Sequence, residues 1–376
     1  MEGRGDQDIF RFEREVRSIL KDVKKRGDEA IVHYTRIFDH SRISMHQLEV
    51  KRGEVEGAYG KVPRDLLGAV KKAARRIQKF HQLLGKRLIL SLKREEKGIR
   101  LEQVMRPLDR VGIYVPGGKA SYPSTVLMAA IPAKVVGVKE IVMVTPPQKE
   151  GISAPVLVAA DLAGVDRIYR IGGVQAIAAL AYGTTSVPKV DKIVGPGNQY
   201  VATAKKLVYG EVDIDMVAGP SEIVIVSDDH MPPSFVAADL ISQAEHDETA
   251  LAILITNSER FGRRVHQELE RQLSSLKRRK VASESLNRRG AILIVKSLEQ
   301  TIPLVNRIAP EHLELLVSRP SSLIKDVRHA GAVFLGPYTP EAIGDYMAGP
   351  NHILPTAGTA RFSSPLGVED FIRRTN

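Results

Sequence analysis

Short apolar runs alternate with alanine-rich helical patterns through the middle of the chain. Four runs have the length and flanking turns of buried strands, and each is followed by a segment with helical spacing. The pattern predicts strands at 111–115, 140–144, 167–171 and 192–194, and helices at 123–138, 154–163, 175–182 and 199–209. Because parallel strands need a crossover connection, this order predicts a parallel sheet covered by helices on both faces.

A second set of the same kind begins at residue 221. It predicts strands at 221–226, 250–255 and 291–295, with a helix at 260–276. Earlier in the chain, the spacing predicts two amphipathic helices at 9–25 and 28–38, a longer helix at 63–84 and a charged hairpin at 88–103. The chain therefore reads as α/β, with two Rossmann-like domains of mainly parallel sheet and an N-terminal helical arm.

The predicted domain boundaries follow from these patterns. The arm covers residues 1–45. The first α/β domain combines residues 46–112 with 221–376, and the second covers residues 113–220. With 43% hydrophobic and 26% charged residues in a chain of 376, the composition is that of a soluble globular protein. No apolar run has the length of a membrane span, and the first residues lack a signal core, so we expect a cytoplasmic protein.

Cysteine is absent from the sequence. This excludes disulfides, thiolate metal ligands and a cysteine nucleophile. The net charge of +11 and basic clusters such as residues 24–26 and 277–280 could indicate a protein that binds nucleic acid. These clusters fall on helical stretches without aromatic residues for base stacking, so we expect no nucleic-acid partner. The charge instead favours anionic ligands such as a dinucleotide.

Three glycine turns stand where a predicted strand passes into a helix. They are 115–118, 171–173 and 194–198. Free backbone N–H groups and the helix dipole at such turns favour a phosphate, and three of them in one domain favour a nucleotide site over tight turns alone. The sequence contains no G-x-G-x-x-G motif in this domain, so a dinucleotide would bind in an unusual manner.

A polar cluster ends an apolar helical pattern at residues 241–247. Gln243 and His246 are three residues apart, a spacing that places both side chains on one helix face within reach of one ion; the alternative is a solvated helix end. Asp345 lies in a stretch of small and polar residues, 344–352, that is typical of a loop around a ligand or of an ordinary surface loop. A Gln, His and Asp set without sulfur suits zinc or a similar divalent ion.

Glu311 and His312 form a second candidate. Pro310 is suited to opening a helix with Glu311 in its first turn, which would be a structural role. The functional interpretation is a carboxylate and an imidazole that act as general bases. Adjacent residues on a helix diverge, so the two groups would serve two different proton transfers.

These motifs together resemble the histidinol dehydrogenase family. The resemblance covers residues 88–371 and is carried by seven motifs in order. They are Gly112-Ile113-Tyr114-Val115-Pro116-Gly117-Gly118, Gly172-Gly173-Val174-Gln175-Ala176-Ile177-Ala178, Gly195-Pro196-Gly197-Asn198, Ala218-Gly219-Pro220-Ser221-Glu222, Gln243-Ala244-Glu245-His246, Ala309-Pro310-Glu311-His312-Leu313-Glu314, and Gly344-Asp345-Tyr346 with Asn351-His352.

The resemblance implies zinc-dependent oxidation of L-histidinol to L-histidine, with two NAD reduced in succession, by a homodimer in histidine biosynthesis. It also implies roles for single residues. Tyr114, Gln175 and Asn198 would contact NAD; Gln243, His246 and Asp345 would hold zinc; Ser221, Gln243, His246, His312 and Asp345 would contact substrate; Glu311 and His312 would be the acid/base pair.

The chemistry of this oxidation agrees with those roles. A base must take the hydroxyl proton when hydride leaves the alcohol, and His312 suits neutral pH. Without a cysteine to add to the aldehyde, water must form a hydrate that loses the second hydride, and Glu311 is the natural base for that water. The metal would orient the substrate amine and imidazole rather than activate water.

The resemblance has one departure, at the carboxyl end. Members of the family usually continue beyond the position of Phe371 with a tail that carries a Glu for the substrate and a His for the zinc, whereas this sequence stops at Asn376. Neither residue can be carried over, and His352, water or another chain would fill the open position. Two alternatives remain: a dehydrogenase of another amino or hydroxy alcohol, and a tail-less protein that binds nucleotide or metal without catalysis.

Overall fold

The computed structural model describes residues 9–88, 92–117, 121–149 and 151–376. The first eight residues of the predicted arm, residues 89–91 of the predicted hairpin and Gly118 of the first glycine turn lie outside the described residues. The described chain forms two compact units. The N-terminal unit contains residues 9–217, 346–353 and 366–376, and the C-terminal unit contains residues 218–345 and 354–365.

Helices and strands alternate as the sequence pattern predicts. The helices are α1 (Ile9–Arg26), α2 (Asp28–Phe38), α3 (Arg52–Ala58), α4 (Arg64–Leu88), α5 (Pro123–Val135), α6 (Ala154–Ala163), α7 (Gly173–Tyr182), α8 (Gln199–Val208), α9 (Pro233–Ala244), α10 (Glu259–Ser275), α11 (Arg279–Arg289), α12 (Thr301–Ile308), α13 (Pro320–Ile324) and α14 (Glu341–Ile343). The strands are β1 (Leu92–Glu96), β2 (Ile99–Pro107), β3 (Arg110–Tyr114), β4 (Glu140–Thr145), β5 (Arg167–Arg170), β6 (Lys192–Val194), β7 (Asp213–Ile214), β8 (Glu222–Ser227), β9 (Leu251–Thr256), β10 (Gly290–Ile294), β11 (His312–Leu316), β12 (Ala332–Leu335) and β13 (Ile372–Thr375). Among the described helices, none combines the length and the apolar character that a membrane crossing requires.

The N-terminal unit is built on a five-stranded parallel sheet in the order β5-β4-β3-β6-β7. Side chains of a strand point alternately to its two faces, and β4 shows how both faces are buried. Ile141 and Met143 join a core with α4, α5 and α6, while Val142 and Val144 join a core with α1, α7 and α8. The predicted parallel sheet with two covered faces is confirmed, and its strands are apolar because neither face meets water.

The contacts of residues 46–112 differ from the predicted domain division. The helix α4 packs on α5 and α6, and its buried Val70, Ala74 and Ile77 belong to the same core as the N-terminal sheet. The hairpin of β1 and β2 pairs with β13 in a separate antiparallel sheet. Residues 46–112 therefore group with 113–217 and not with 221–376, because an amphipathic helix is placed by the apolar surface it covers, which its own sequence does not reveal.

The C-terminal unit has its own five-stranded parallel sheet, in the order β10-β9-β8-β11-β12. Its strand β11 corrects the sequence interpretation of residues 310–314. Pro310 does not open a helix, because Leu313 and Leu315 are buried in a core under the sheet and the segment pairs with both β8 and β12. A short apolar run can form either a strand or a helix, and here the tertiary pairing decided.

Candidate active site

Polar side chains gather in the C-terminal unit where two neighbouring strands begin. Glu222 is the first residue of β8, His312 is the first residue of β11, and β8 and β11 pair in parallel so that His312 lies beside Ile223. Gln243 is near the end of α9, which leads into β9 at the same edge. The cluster therefore lies at the amino ends of these parallel strands, whereas ligands of open α/β sheets usually bind at the carboxyl ends.

Glu311 is held in place by the backbone of β8. Its Oε2 atom accepts a hydrogen bond from the Glu222 N–H at 2.9 Å, and only 8% of the residue is exposed. Burial raises the pKa of Glu311 to about 7, although the positive charge on His312 opposes the rise. A carboxyl group with a pKa near neutrality can both accept and release a proton at the pH of the cell.

His312 is oriented by the same strand. Its Nδ1 atom donates to the Glu222 carbonyl oxygen at 3.0 Å, which directs Nε2 toward the Asp345 carboxylate at 3.4 Å. The Glu311 Oε2 atom is 3.6 Å from Nδ1, so the two predicted bases lie side by side. Burial lowers the pKa of His312, but the charges of Glu311 and Asp345 outweigh it and raise the pKa to about 10.

Glu341 and Asp345 complete a group of possible ligands around His312. One ligand atom from each of the three residues lies within 4.8 Å of the others, a separation that a single ion can bridge. Burial, followed by the charge of Asp345, raises the pKa of Glu341 to about 8, while a hydrogen bond from Gln243 opposes the rise. Several carboxylates that repel one another in a buried site are typical of places that hold a cation.

Gln243 and His246 face this group from the end of α9. Gln243 is fully buried, and neither its Oε1 nor its Nε2 atom has a hydrogen bond of standard geometry within the described part of the chain. His246 lies just beyond the end of the helix, and its Nδ1 atom is 3.4 Å from the Ser221 hydroxyl oxygen. Surrounding protein atoms, followed by the charge of His312, lower the pKa of His246, which favours the neutral ring that ligates metals.

These residues fit a divalent metal ion. The buried Gln243 Oε1 atom has no hydrogen-bond partner among the described residues, which is costly, and a bound cation would satisfy this oxygen. The nearby donors are carboxylate oxygens, imidazole nitrogens and an amide oxygen, which is a set suited to zinc. The structure thus brings together the predicted Ser221, Gln243, His246 and Asp345, and adds Glu341 to them.

The residues predicted to contact NAD lie in the N-terminal unit. Tyr114 ends β3, and its hydroxyl oxygen accepts a hydrogen bond from the Gly173 N–H at 3.2 Å, at the start of α7. Burial raises the pKa of Tyr114 to about 12, so the phenol stays protonated and keeps its O–H as a donor. Gln175 is fully buried in the first turn of α7, and its Oε1 atom has no partner among the described residues. Both lie at the carboxyl end of the sheet, as the glycine turns predict.

Asn198 caps helix α8 beside them. Its Oδ1 atom accepts a hydrogen bond from the Val201 N–H at 3.1 Å, so this side chain has a structural role as the cap of the helix. The preceding turn depends on Gly195, which has a φ of 113°. A Cβ atom at Gly195 would stand 2.2 Å from the Tyr114 carbonyl oxygen.

We expect Gly195→Ala to destabilise the protein by about 2–3 kcal/mol, because both the positive φ and the contact with Tyr114 reject a side chain. This corresponds to a fall in Tm of about 5–10 °C in a thermal melt. Gly210→Ala is the matched control, since Gly210 has a φ of 102° but nothing within 4 Å of its Cβ position. Equal losses in the two variants would mean that the Tyr114 contact contributes nothing.

Asp39, just after α2, is an unpredicted member of this region. Its Oδ2 atom accepts a hydrogen bond of 3.4 Å from the Gln175 Nε2 atom, and its charge adds to the rise in the pKa of Tyr114. Burial raises the pKa of Asp39 from 3.8 to about 6. The folded state therefore binds this proton more tightly than the unfolded state, so the ionised carboxyl costs stability increasingly between pH 3.8 and 6 and fully above that range.

Asp39→Asn is thus expected to raise Tm near pH 7.5 and to leave it unchanged near pH 3.5. The variant keeps an oxygen that can accept from Gln175, so the charge is the main difference. Thermal melts of both proteins without NAD, over a pH series, measure the effect. A Tm difference that is the same at every pH would contradict the pKa shift.

Two contributions to the C-terminal cluster escaped the sequence interpretation. Glu341 precedes Asp345 by four residues, a spacing that places the two on one helical face, and this spacing could have revealed it. Glu222 contributes through its backbone N–H and carbonyl groups, which hold Glu311 and His312. That role depends on the register of β8 against β11, and the sequence carries no local signal for it.

Comparisons with known proteins agree with this fold. A family model described as histidinol dehydrogenase matches residues 2–376. Histidinol dehydrogenase of Bacillus cereus is 55% identical over 364 residues, which cover 97% of this chain and 84% of that protein. Histidinol dehydrogenase of Syntrophotalea carbinolica is 55% identical over 373 residues, with 99% and 86% covered. The crystal structure of histidinol dehydrogenase from Elizabethkingia anophelis matches with a TM-score of 0.92 and 38% identity, covering 97% of this chain and 83% of that one.

The fold and these relatives define an enzyme of the oxidoreductase class, a dehydrogenase built on two α/β units. The chain belongs to the histidinol dehydrogenase family.

Proposed function

We propose that this enzyme oxidises L-histidinol to L-histidine through L-histidinal and reduces two NAD, as a step of histidine biosynthesis. The observation that carries the proposal is the placement of Glu311, His312, His246 and Asp345 in one site of a chain that belongs to this family. An alcohol oxidised twice needs a base for the alcohol and a second base for water. Two bases that lie side by side meet this requirement.

Zinc is the proposed metal, held by Gln243, His246 and Asp345. The support comes from the unpartnered Gln243 oxygen, the lowered pKa of His246 and the crowded carboxylates around Asp345. A bound zinc would supply a Lewis acid that orients the amine and imidazole of the substrate. Ser221, whose hydroxyl lies beside His246, is the proposed neighbour of the bound substrate.

His312 is the proposed base for the first oxidation. Its Nδ1 atom is engaged by the Glu222 carbonyl, so Nε2 is the atom that would take the hydroxyl proton as hydride passes from carbon to NAD. The products of this step are the aldehyde, NADH and a protonated imidazole. The carboxylates around His312 raise its pKa, and a cation among them would reduce that rise and favour the neutral base.

Glu311 is the proposed base for the second oxidation. It would take a proton from the water that adds to the aldehyde carbon, and the resulting hydrate would lose hydride to a second NAD and become the carboxylic acid. The hydrogen bond from the Glu222 N–H fixes the carboxylate for this step. The absence of cysteine from the sequence requires this route through a hydrate, because no thiol can add to the aldehyde.

NAD is proposed to bind at the carboxyl end of the N-terminal sheet, against Tyr114, Gln175 and Asn198. The phenol of Tyr114, the unpartnered Gln175 oxygen and the first turn of α8 after Asn198 offer donors, an acceptor and backbone N–H groups for a dinucleotide. The homodimer remains a prediction from the family resemblance.

The stoichiometry of NADH tests the proposed function directly. With added zinc and limiting histidinol, we expect two NADH for each histidinol consumed, with histidine as the product identified by mass spectrometry. Turnover with other amino or hydroxy alcohols but not with histidinol would favour a related dehydrogenase of another substrate. Binding of NAD or zinc without turnover of any alcohol would favour a non-catalytic protein.

A further inference from the structure

Lys205 and Asp215 form a buried ion pair in the N-terminal unit. Lys205 lies on α8 and Asp215 follows β7, and their side chains are 2% and 1% exposed. The Lys205 Nζ atom donates to the Asp215 Oδ1 atom. Two charges so completely removed from water need partners for all their polar atoms, and the identity of those partners shows what the pair does.

Both members of the pair bind the same residue, Gly195. The Lys205 Nζ atom donates to the Gly195 carbonyl oxygen at 2.9 Å, and the Asp215 Oδ2 atom accepts from the Gly195 N–H at 2.8 Å. The pair therefore holds the two polar groups of one residue from opposite sides. Asp215 is itself fixed, since its N–H donates to the Ile193 carbonyl on β6 and its Oδ1 atom accepts from the Met216 N–H.

Gly195 begins the turn that lies against one proposed NAD contact, Tyr114, and ends at another, Asn198. Its Cα atom lies against the Tyr114 carbonyl oxygen, so closely that no side chain fits between them. Three residues later the same turn ends at Asn198, the cap of α8. A glycine with a φ of 113° has many alternative conformations, and the ion pair selects one of them.

A gain in stability does not explain such a pair. The cost of removing two charges from water commonly equals or exceeds their attraction, and apolar residues of similar volume often replace a buried ion pair without loss of stability. What an apolar pair cannot supply is a donor for the Gly195 carbonyl and an acceptor for its N–H. The contacts of Lys205 and Asp215 therefore indicate that the pair fixes the conformation of the turn.

We propose that Lys205 and Asp215 are positioning residues for the cofactor: they hold the turn of residues 195–198 against Tyr114 and thereby set the affinity for NAD. This inference rests on the proposed function, because NAD is the ligand it names. Neither residue needs to touch NAD, and both act through Gly195.

The test is the double variant Lys205→Met with Asp215→Leu, which removes both charges together and leaves none unpaired. We expect KM and Kd for NAD to rise about tenfold or more, since small displacements of binding groups have effects of this size. The kcat at saturating NAD and the KM for histidinol should change by less than about twofold. Tm should fall by a few degrees, because the buried Gly195 N–H and carbonyl groups lose their partners. Kd is measured by calorimetry, and Tm by a thermal melt.

Lys192→Met is the matched control. Lys192 is a buried lysine on β6 with 8% of its side chain exposed, and its ion pairs are with Asp213 and Asp370 rather than with the turn. We expect this change to affect Tm without altering the affinity for NAD. If the double variant fails to fold, Asp215→Asn provides the second measurement, because it keeps the shape and one acceptor oxygen, and its KM for NAD should also rise.

The outcomes separate this inference from the proposed function. A double variant with lower Tm and unchanged affinity for NAD would show a structural role alone and would overturn the inference. A folded Asp215→Asn protein with the wild-type KM for NAD would do the same. Failure of the wild-type protein to bind NAD at all would overturn the proposed function together with the inference.

Discussion

In the Glu311→Gln variant, the first NADH is expected to form from histidinol at close to the wild-type rate, while the second forms about 10²–10⁴-fold more slowly. The physical reason is that, in the proposed mechanism, the hydroxyl proton passes to His312, whereas the water proton passes to Glu311. Glutamine has the same shape and keeps an oxygen for the Glu222 N–H, so the fold around the site should be preserved. The change removes the basic carboxylate alone.

Single-turnover reactions started separately with histidinol and with histidinal measure the two steps. The variant should stop near one NADH for each histidinol and accumulate the aldehyde, which a carbonyl reagent detects. His312→Asn is the comparison variant, and it is expected to slow the first step, because its side chain cannot act as the base. Equal slowing of both steps by Glu311→Gln would contradict the proposal that His312 and Glu311 serve different proton transfers.

For the metal, His246→Ala is expected to reduce bound zinc at a fixed free concentration and to lower turnover by about a hundredfold or more. The imidazole is one of the three proposed ligands, and alanine offers no substitute. Elemental mass spectrometry of the purified protein gives zinc per chain, and NADH formation gives the rate. Excess zinc should restore part of the activity if the remaining ligands still form a weak site.

A second variant distinguishes the proposed zinc ligands from an alternative set of ligands. The alternative set is His312, Glu341 and Asp345, whose ligand atoms lie within 4.8 Å of one another. Glu341→Gln removes the carboxylate that belongs to this set alone. If the metal sits as proposed, this variant keeps its zinc and His246→Ala loses it, and the reverse result would assign the site to Glu341. Glu248→Gln, at an exposed position beyond α9, controls for the change in surface charge and should behave as wild type.

Much of the fold followed from periodicity alone. The strands β3, β4, β5 and β6 and the helices between them fall within a few residues of their predicted positions, because strands buried on both faces are continuous apolar runs and glycine turns mark their ends. The helices at residues 9–26 and 28–38 were equally clear, since each carries an apolar stripe and Gly27 interrupts them.

The sequence predicted secondary structure and packing less well where contacts with distant segments of the chain decide them. Residues 312–316 contain three buried leucines and two polar residues, and this pattern became a strand only by pairing with β8 and β12. The position of α4 depended in the same way on which apolar surface it covers. Local sequence carries no information about partners that are distant in the chain, so such assignments require the tertiary structure.

The sequence by itself determined the family, the absence of a thiol and the identity of most residues in the candidate site, since motifs report residue types and their order. Only the tertiary structure decided that the site lies at the amino ends of β8 and β11, that Glu222 holds Glu311 and His312 by its backbone, and that Glu341 joins them. It also revealed that Lys205 and Asp215 both form hydrogen bonds with Gly195. Hydrogen bonds and pKa shifts depend on distances and burial, and these exist only after chain segments far apart in sequence have packed together.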